Sequence, residues 1–283
     1  MKQILANILI ILFFSGFIYA QDNVGTVNQT GDDNAALIDQ IGSTNTATIT
    51  STGNLNNDDV QKWVNWTSGL SAAMNARGVT QHGDDNLGTI WQDRHRSEAG
   101  IAQLGDANIA AITQDDPTNH SWGAENHAFV DQLGNMNISN QNQQGRANSS
   151  YMRQVGDNNT ADAEQYDYYT SYTRAEQVGD GNSSFQFQEY GDYTGRNYAD
   201  LYQLGDNNYS SQDQHGHGNE AYSQQLGDLN DGTISQSGDL NIGTIYQDGN
   251  SNFGLIHQNG NSNTGTVNQT GDGNHGTVTQ SDF

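Results

Sequence analysis

Residues 263–274 read Asn263-Thr-Gly-Thr-Val-Asn-Gln269-Thr-Gly271-Asp-Gly-Asn274, and the frame Asn-x5-Gln-x-Gly-x-x begins again at Asn274. Read backwards from the end, Gln280, Gln269, Gln258, Gln247, Gln236, Gln225, Gln214 and Gln203 fall at steps of eleven. A fixed period of this kind marks a stacked repeat and takes precedence over any element-by-element reading. Asn263, Asn252, Asn241, Asn230, Asn219, Asn208 and Asn197 head the neighbouring units. The same unit starts at Asn23, Asn34, Asn45, Asn75, Asn86, Asn108, Asn126, Asn137, Asn148, Asn159 and Asn182, and Ser97 and Ser171 replace the Asn in two more. Units close on Gln29, Gln40, Gln81, Gln92, Gln103, Gln114, Gln132, Gln143, Gln154, Gln165, Gln177 and Gln188, with Ser51 as the one substitute, which makes 21 units.

Inside a unit the alternation has period two, the signature of a strand. With Asn as position 0, position 4 carries the apolar residues Val27, Ile38, Ile49, Val79, Ile90, Ile101, Ile112, Val130, Ile234, Ile245, Ile256, Val267 and Val278. Position 2 is small, as at Gly25, Ala36, Ala47, Gly88, Ala110, Gly232, Gly254 and Gly276. Positions 0, 2, 4 and 6 therefore share an inward face. The x-Gly-x-x link reverses the chain but is too short for a crossover helix, so successive strands belong to two facing sheets. The expected fold is all-β: a two-sheet β-solenoid of cross-β character, with 22 residues per rung and about 21–22 short strands. Across its thin core position 2 meets position 4, and position 0 meets position 6.

One buried Val or Ile supplies roughly 1.5–3 kcal/mol, too little to order seven residues at about 1–2 kcal/mol each. Ladders of identical amides and paired backbone must supply the rest, so the unit is stable only in a stack. The repeat is interrupted at 52–74, 93–96, 115–125, 166–170 and 189–196, which read as loops swelling from the turn edges. A degenerate strand near Val60–Trp66 would bring the count to 22. Between Gln141 and Ser223 position 4 is often polar or small, as at Gln141, Ala163, Ala175, Gln186, Gln212 and Ser223, which predicts a weaker middle. All the basic residues of the mature chain also lie between Lys62 and Arg196.

The apolar run from Ile4 to Tyr19, followed by Ala20 and polar Gln21, reads as a secretory signal over 1–20, leaving one repeat domain over 21–283. No other stretch is long enough to span a membrane, so no membrane insertion is expected after cleavage. The formal charge of −24, with 9 Lys+Arg against 33 Asp+Glu, excludes nucleic acid as a partner. The absence of Cys removes disulfides and thiol chemistry. No nucleophile, base and orienting acid recur together, so neither an enzyme, nor a cofactor, nor a metal centre is expected. The turn Asp residues read first as turn formers.

The unit Asn-x5-Gln-x-Gly-x-x-Asn, in tandem on an exported Cys-free chain, resembles the curlin repeat of curli subunits, the functional amyloid of bacterial biofilms. The resemblance covers nearly all of 23–280. It implies that the Gln and Asn ladders drive fibre formation, that Gly and Asp in the turns slow it, and that the product is a secreted, extracellular cell-surface fibre. It implies partners too: other copies of the chain in a homopolymer, a nucleating minor subunit and an outer-membrane secretion channel. A major subunit fits better than a nucleator, because 263–280 stays close to consensus. The chain differs from curli subunits in lacking a Gly-rich segment between signal and repeats. A soluble solenoid that binds ice, calcium or glycan is the alternative. The terminal units argue for the fibre, since 23–34 and 263–274 agree at ten of twelve positions and neither has the form of a cap.

Overall fold

The computed structural model describes residues 22–31, 34–52, 78–93, 97–115, 125–167, 170–189 and 195–282. The expected signal at 1–20, Asn75 and the bodies of the insertions lie outside them. Every regular element among the described residues is a strand, because the period-two pattern is never broken inside a unit. One parallel sheet has eleven strands: β1 (Val24–Thr30), β3 (Thr46–Thr52), β5 (Leu87–Asp93), β7 (Ile109–Asp115), β9 (Ile138–Gly145), β11 (Thr160–Asp167), β13 (Ser183–Glu189), β15 (Tyr209–His215), β17 (Asp231–Ser237), β19 (Phe253–Asn259) and β21 (His275–Ser281). The facing sheet has ten: β2 (Leu37–Ile41), β4 (Gly78–His82), β6 (Glu98–Leu104), β8 (His127–Leu133), β10 (Ser149–Val155), β12 (Tyr172–Val178), β14 (Tyr198–Leu204), β16 (Glu220–Leu226), β18 (Ile242–Asp248) and β20 (Thr264–Thr270).

Register follows the repeat. Gln203 lies beside Gln225, Gln225 beside Gln247, and Gln247 beside Gln269. Across the 52–74 insertion β2 pairs directly with β4 and β3 with β5. The stretch near Val60–Trp66 lies outside the described residues. The described strands make ten and a half rungs, and both the first and the last of them belong to the eleven-stranded sheet.

Across the core, position 2 packs on position 4. A Cβ on Gly243 would sit 2.8 Å from Ile234 Cγ2, and one on Gly88 would sit 2.6 Å from Val79 Cγ1. The two sheets are this close because one partner has no side chain. The apolar core divides into three groups: Ala47 to Val130, then Met152, Ala161, Ala163, Ala175 and Leu201, and then Ala221 to Val267. In the thin middle, buried position-4 glutamines replace aliphatics and donate across the core. Gln141 reaches the Phe129 carbonyl at 2.9 Å, Gln186 that of Arg174 at 2.8 Å and Gln212 that of Asp200 at 2.9 Å. Gln186 and Gln212 also bond each other at 2.8 Å, as a second, short ladder.

The turns pack as tightly as the core. Gly134 has φ +124, and a Cβ there would lie 2.1 Å from the Gly156 carbonyl oxygen, so the turn column accepts only glycine. The four interruptions that lengthen the chain follow odd-numbered strands, β3, β7, β11 and β13, whereas the link after β5 keeps four residues. Every turn from an even to an odd strand keeps its four residues. One edge of the solenoid is thus uniform, and the other carries every insertion.

Gly243→Val should overpack against Ile234 and destabilise the fold by about 1–3 kcal/mol. Adding Ile234→Ala should recover most of the loss in a thermal melt, since it vacates the space the new methyls need.

Candidate assembly interface

In the even sheet Gln40, Gln81, Gln103, Gln132, Gln154, Gln177, Gln203, Gln225, Gln247 and Gln269 form one unbroken ladder. Each Nε2 donates to the Oε1 of the next rung at 2.8–3.0 Å. In the odd sheet the Ser51 hydroxyl opens the series by donating to Gln92 at 3.2 Å. Gln92, Gln114, Gln143, Gln165, Gln188, Gln214, Gln236, Gln258 and Gln280 continue it at 2.8–3.0 Å. Gln29 stands at the exposed first strand, in register with Ser51.

Repeat spacing foretells these ladders but not the destination of the second amide hydrogen. It crosses the core to the backbone carbonyl that follows the facing Asn: Gln103 to Leu87 at 3.1 Å, Gln225 to Tyr209 at 2.7 Å, Gln258 to Ile242 at 3.0 Å. Each ladder amide therefore ties one sheet along its length and to the other sheet.

The Asn residues run the opposite way. Asn108 Oδ1 accepts both the backbone N–H of Asn137, at 3.0 Å, and its Nδ2, at 3.1 Å. The remaining hydrogen of Asn108 Nδ2 goes to the Gly134 carbonyl at 2.7 Å and clamps the turn. Asn23, Asn45, Asn86, Asn137, Asn159, Asn182, Asn208, Asn230, Asn252 and Asn274 share this column in the odd sheet, and Asn126, Asn148, Asn197, Asn219, Asn241 and Asn263 the other, with Ser97 one rung before Asn126 and Ser171 between Asn148 and Asn197. Asn34 heads that second column at the exposed end, its Nδ2 bonded to the Thr30 carbonyl at 3.3 Å.

A third column runs along the uniform edge. The backbone N–H groups of Ser43, Asp84, Asp106, Asn135, Asp157, Asp180, Asp206, Asp228 and Asn250 each donate to the Oδ1 of the Asp or Asn one rung on, at 2.7–2.9 Å. Asn135 and Asn250 show that an amide serves this bond as well as a carboxylate does. The Asp residues are thus structural turn acceptors that also place like charges one rung apart. In water such a pair repels by only about 1 kcal/mol.

The family model described as Curlin associated repeat matches residues 20–53, 142–166, 227–253 and 249–281. Four stretches, at both ends and in the middle of the stack, thus carry the curlin associated repeat. Comparison with curated proteins finds no match.

Both ends of this curlin-repeat stack are open. β1 is exposed along its whole length, and Val27 is 37% accessible where Ile49, one rung in, is fully buried. Ile38 and Val278 are likewise part-buried at the ends, whereas Val79, Ile90, Ile101, Ile112, Val130, Ile234, Ile245, Ile256 and Val267 are enclosed. The ends differ in polarity. Ladder Gln amides point their hydrogens towards β20 and β21, and ladder oxygens face β1 and β2.

The outer face of the even sheet holds features that the repeat pattern does not announce. Arg153 pairs with Glu176 at 2.6 Å, Glu176 with Arg174 at 2.6 Å, and Arg174 with Asp200 at 3.4 Å. Arg153 and Glu176 are register partners, as are Arg174 and Asp200, so opposite charges at one unit position in alternate units were the available signal. Beside them Tyr172 and Tyr198 stack at 5.0 Å and 13°, and Tyr222 follows Tyr198 at 5.4 Å. Burial, with the Glu220 hydrogen bond and charge, pushes the Tyr222 phenol up to about 12, so it remains a hydrogen-bond donor at any ordinary pH.

Gln225→Leu leaves the donor of Gln203, the acceptor of Gln247 and the Tyr209 carbonyl unpaired. At about 1–3 kcal/mol for a buried orphaned group, it should lower the melting temperature far more than a surface Gln→Leu such as Gln224→Leu. Burial raises the carboxyl pKa of Asp131, Asp200 and Asp231. A carboxyl raised in the fold binds its proton more readily folded than unfolded, so its contribution to stability grows as pH falls towards the raised value and is lost as pH rises through it. Thermal unfolding followed by circular dichroism should therefore show a higher midpoint at about pH 4.5 than at about pH 7, and Asp231→Asn should reduce the difference.

Proposed function

We propose that this protein is a structural, non-enzymatic subunit of extracellular curli-like amyloid fibres, exported by its 1–20 signal and adding head to tail through residues 21–283 in a biofilm matrix and surface-adhesion role. The observation that carries this reading is the pair of open, complementary ends: ladder donors on β20 and β21, ladder acceptors on β1 and β2, and no atypical capping repeat among the described residues. An exposed edge strand of this kind is a template for another chain, and a stack that is polar along its axis accepts a second copy in one orientation only. The Gln and Asn columns and their apolar partners are then the fibre-forming residues. A nucleating minor subunit and an outer-membrane secretion channel are the partners such a fibre needs. The Tyr172–Tyr198–Tyr222 column supports adhesion, because it gives the outer face a run of amphipathic ring edges.

Residues 21–283, diluted from denaturant into neutral buffer, should give unbranched fibres with a meridional spacing of about 4.7–4.8 Å by electron microscopy and diffraction. Val278→Asp, which puts a charge on the inward face of the last strand, should slow elongation strongly in a dye-binding assay without abolishing the monomer's β signal. A persistently soluble monomer would move the reading to a ligand-binding solenoid.

A further inference from the structure

We infer that successive subunits in the fibre are related by a half-turn about the fibre axis, so that β1 of each incoming copy pairs with β20, not with β21, of the copy before it. The inference rests on the head-to-tail reading above and concerns how the ends meet.

Strand parity is the first argument. β1 and β21 lie in the same sheet, and the facing sheet ends one strand short, on β20. The next vacant strand position in the coil is therefore beside β20, in the even sheet. A copy added by translation alone would set its β1 on β21 and its β2 one position too far along. That leaves a slot one strand wide between β20 and the incoming β2, with two rows of backbone N–H and C=O groups unpaired at a buried edge, each row costly. A copy rotated by a half-turn puts its β1 in the vacant position and its β2 on β21. Strands of the two sheets run in opposite directions, so the rotation also makes the incoming β1 parallel to β20. The coil then continues without a break.

Sequence is the second, independent argument. β1 reads VGTVNQT and β20 reads TGTVNQT, identical at six of seven positions, whereas β21 reads HGTVTQS and shares four with β1. Neighbours within the stack are much less alike: β18, IGTIYQD, shares three positions with β20. The half-turn sets Val27 on Val267, Asn28 on Asn268 and Gln29 on Gln269, and places Gln40 on Gln280 and Ile38 on Val278. The Gln269 amide hydrogen then meets the Gln29 oxygen and continues the even-sheet ladder. One subunit advances the fibre by ten and a half rungs, about 50 Å at about 4.8 Å per rung. The insertion-bearing edge alternates from one side of the fibre to the other, so both flanks carry the same mixture of smooth turns and insertions.

The chain has no cysteine, so introduced thiols report on the junction cleanly. Asn28, Asn268 and Thr279 are outward-facing strand positions. Fibres grown under reductant from the double variant N28C/N268C, then oxidised with diamide, should yield a ladder of covalent multimers on denaturing gels. Fibres of N28C/T279C should remain largely monomeric. The reverse pattern, or fibres in which neither pair links, overturns the half-turn while leaving the fibre intact. Failure of both variants and of the parent chain to form fibres removes the head-to-tail reading and this inference with it. Helical reconstruction of the parent fibre gives a second readout: a two-fold screw with a rise of about 50 Å is expected, and a purely translational repeat with all insertions on one flank overturns it.

Discussion

Backbone hydrogen bonding holds parallel in-register strands about 4.8 Å apart, and every other feature of this molecule is adjusted to that spacing. Register places each side chain directly over the one at the same unit position. A residue is therefore tolerated on the inward face only if it packs on, or bonds to, its own kind. A primary amide does both, because it carries donor and acceptor at a separation that repeats with the strand. The Gln ladder uses one hydrogen along the stack and the other across it, and so substitutes for the apolar mass that the chain lacks. The remaining inward positions pair a branched aliphatic with a glycine or alanine, which brings the sheets near enough for those cross-core amide bonds.

The same constraint gives the turns their character. Glycine carbonyls stack so closely that a Cβ would overlap them, and the Asp or Asn that follows supplies the acceptor for the turn N–H of the rung before. Charge enters the turn column because a short acceptor is required there, and the repulsion between neighbours is the smaller term in water. The two edges then part company. On one the column is continuous over ten turns, and on the other the chain makes every one of its excursions.

Where the apolar core thins, other interactions take over. Buried glutamines at position 4 donate to the opposite backbone, and on the outer face Arg153, Glu176, Arg174 and Asp200 alternate in sign beside a tyrosine stack. The basic residues that mark the centre in the sequence are thus partly spent on cross-strand pairing within the sheet. The ends, by contrast, stay close to the plain repeat, which suits surfaces that continue into another copy of the same pattern.

Much of this was legible in the chain. The eleven-residue period, the period-two alternation and the links too short for a helix determined a two-sheet solenoid, and the identity of the inward residues determined which side chains would ladder, because a strict repeat leaves register no freedom. Tertiary structure alone decided the rest. Pairing of β2 with β4 and of β3 with β5 kept both sheets in register across the 52–74 insertion. The second hydrogen of each Gln crosses to a carbonyl whose position depends on the distance between sheets. Arg153 met Glu176, and Tyr172 met Tyr198, because strands 23 and 26 residues apart became neighbours across insertions of unequal length. A repeat prescribes what lies over what. The insertions, which follow no period, determine which edge is free, and only the folded stack shows where they fall.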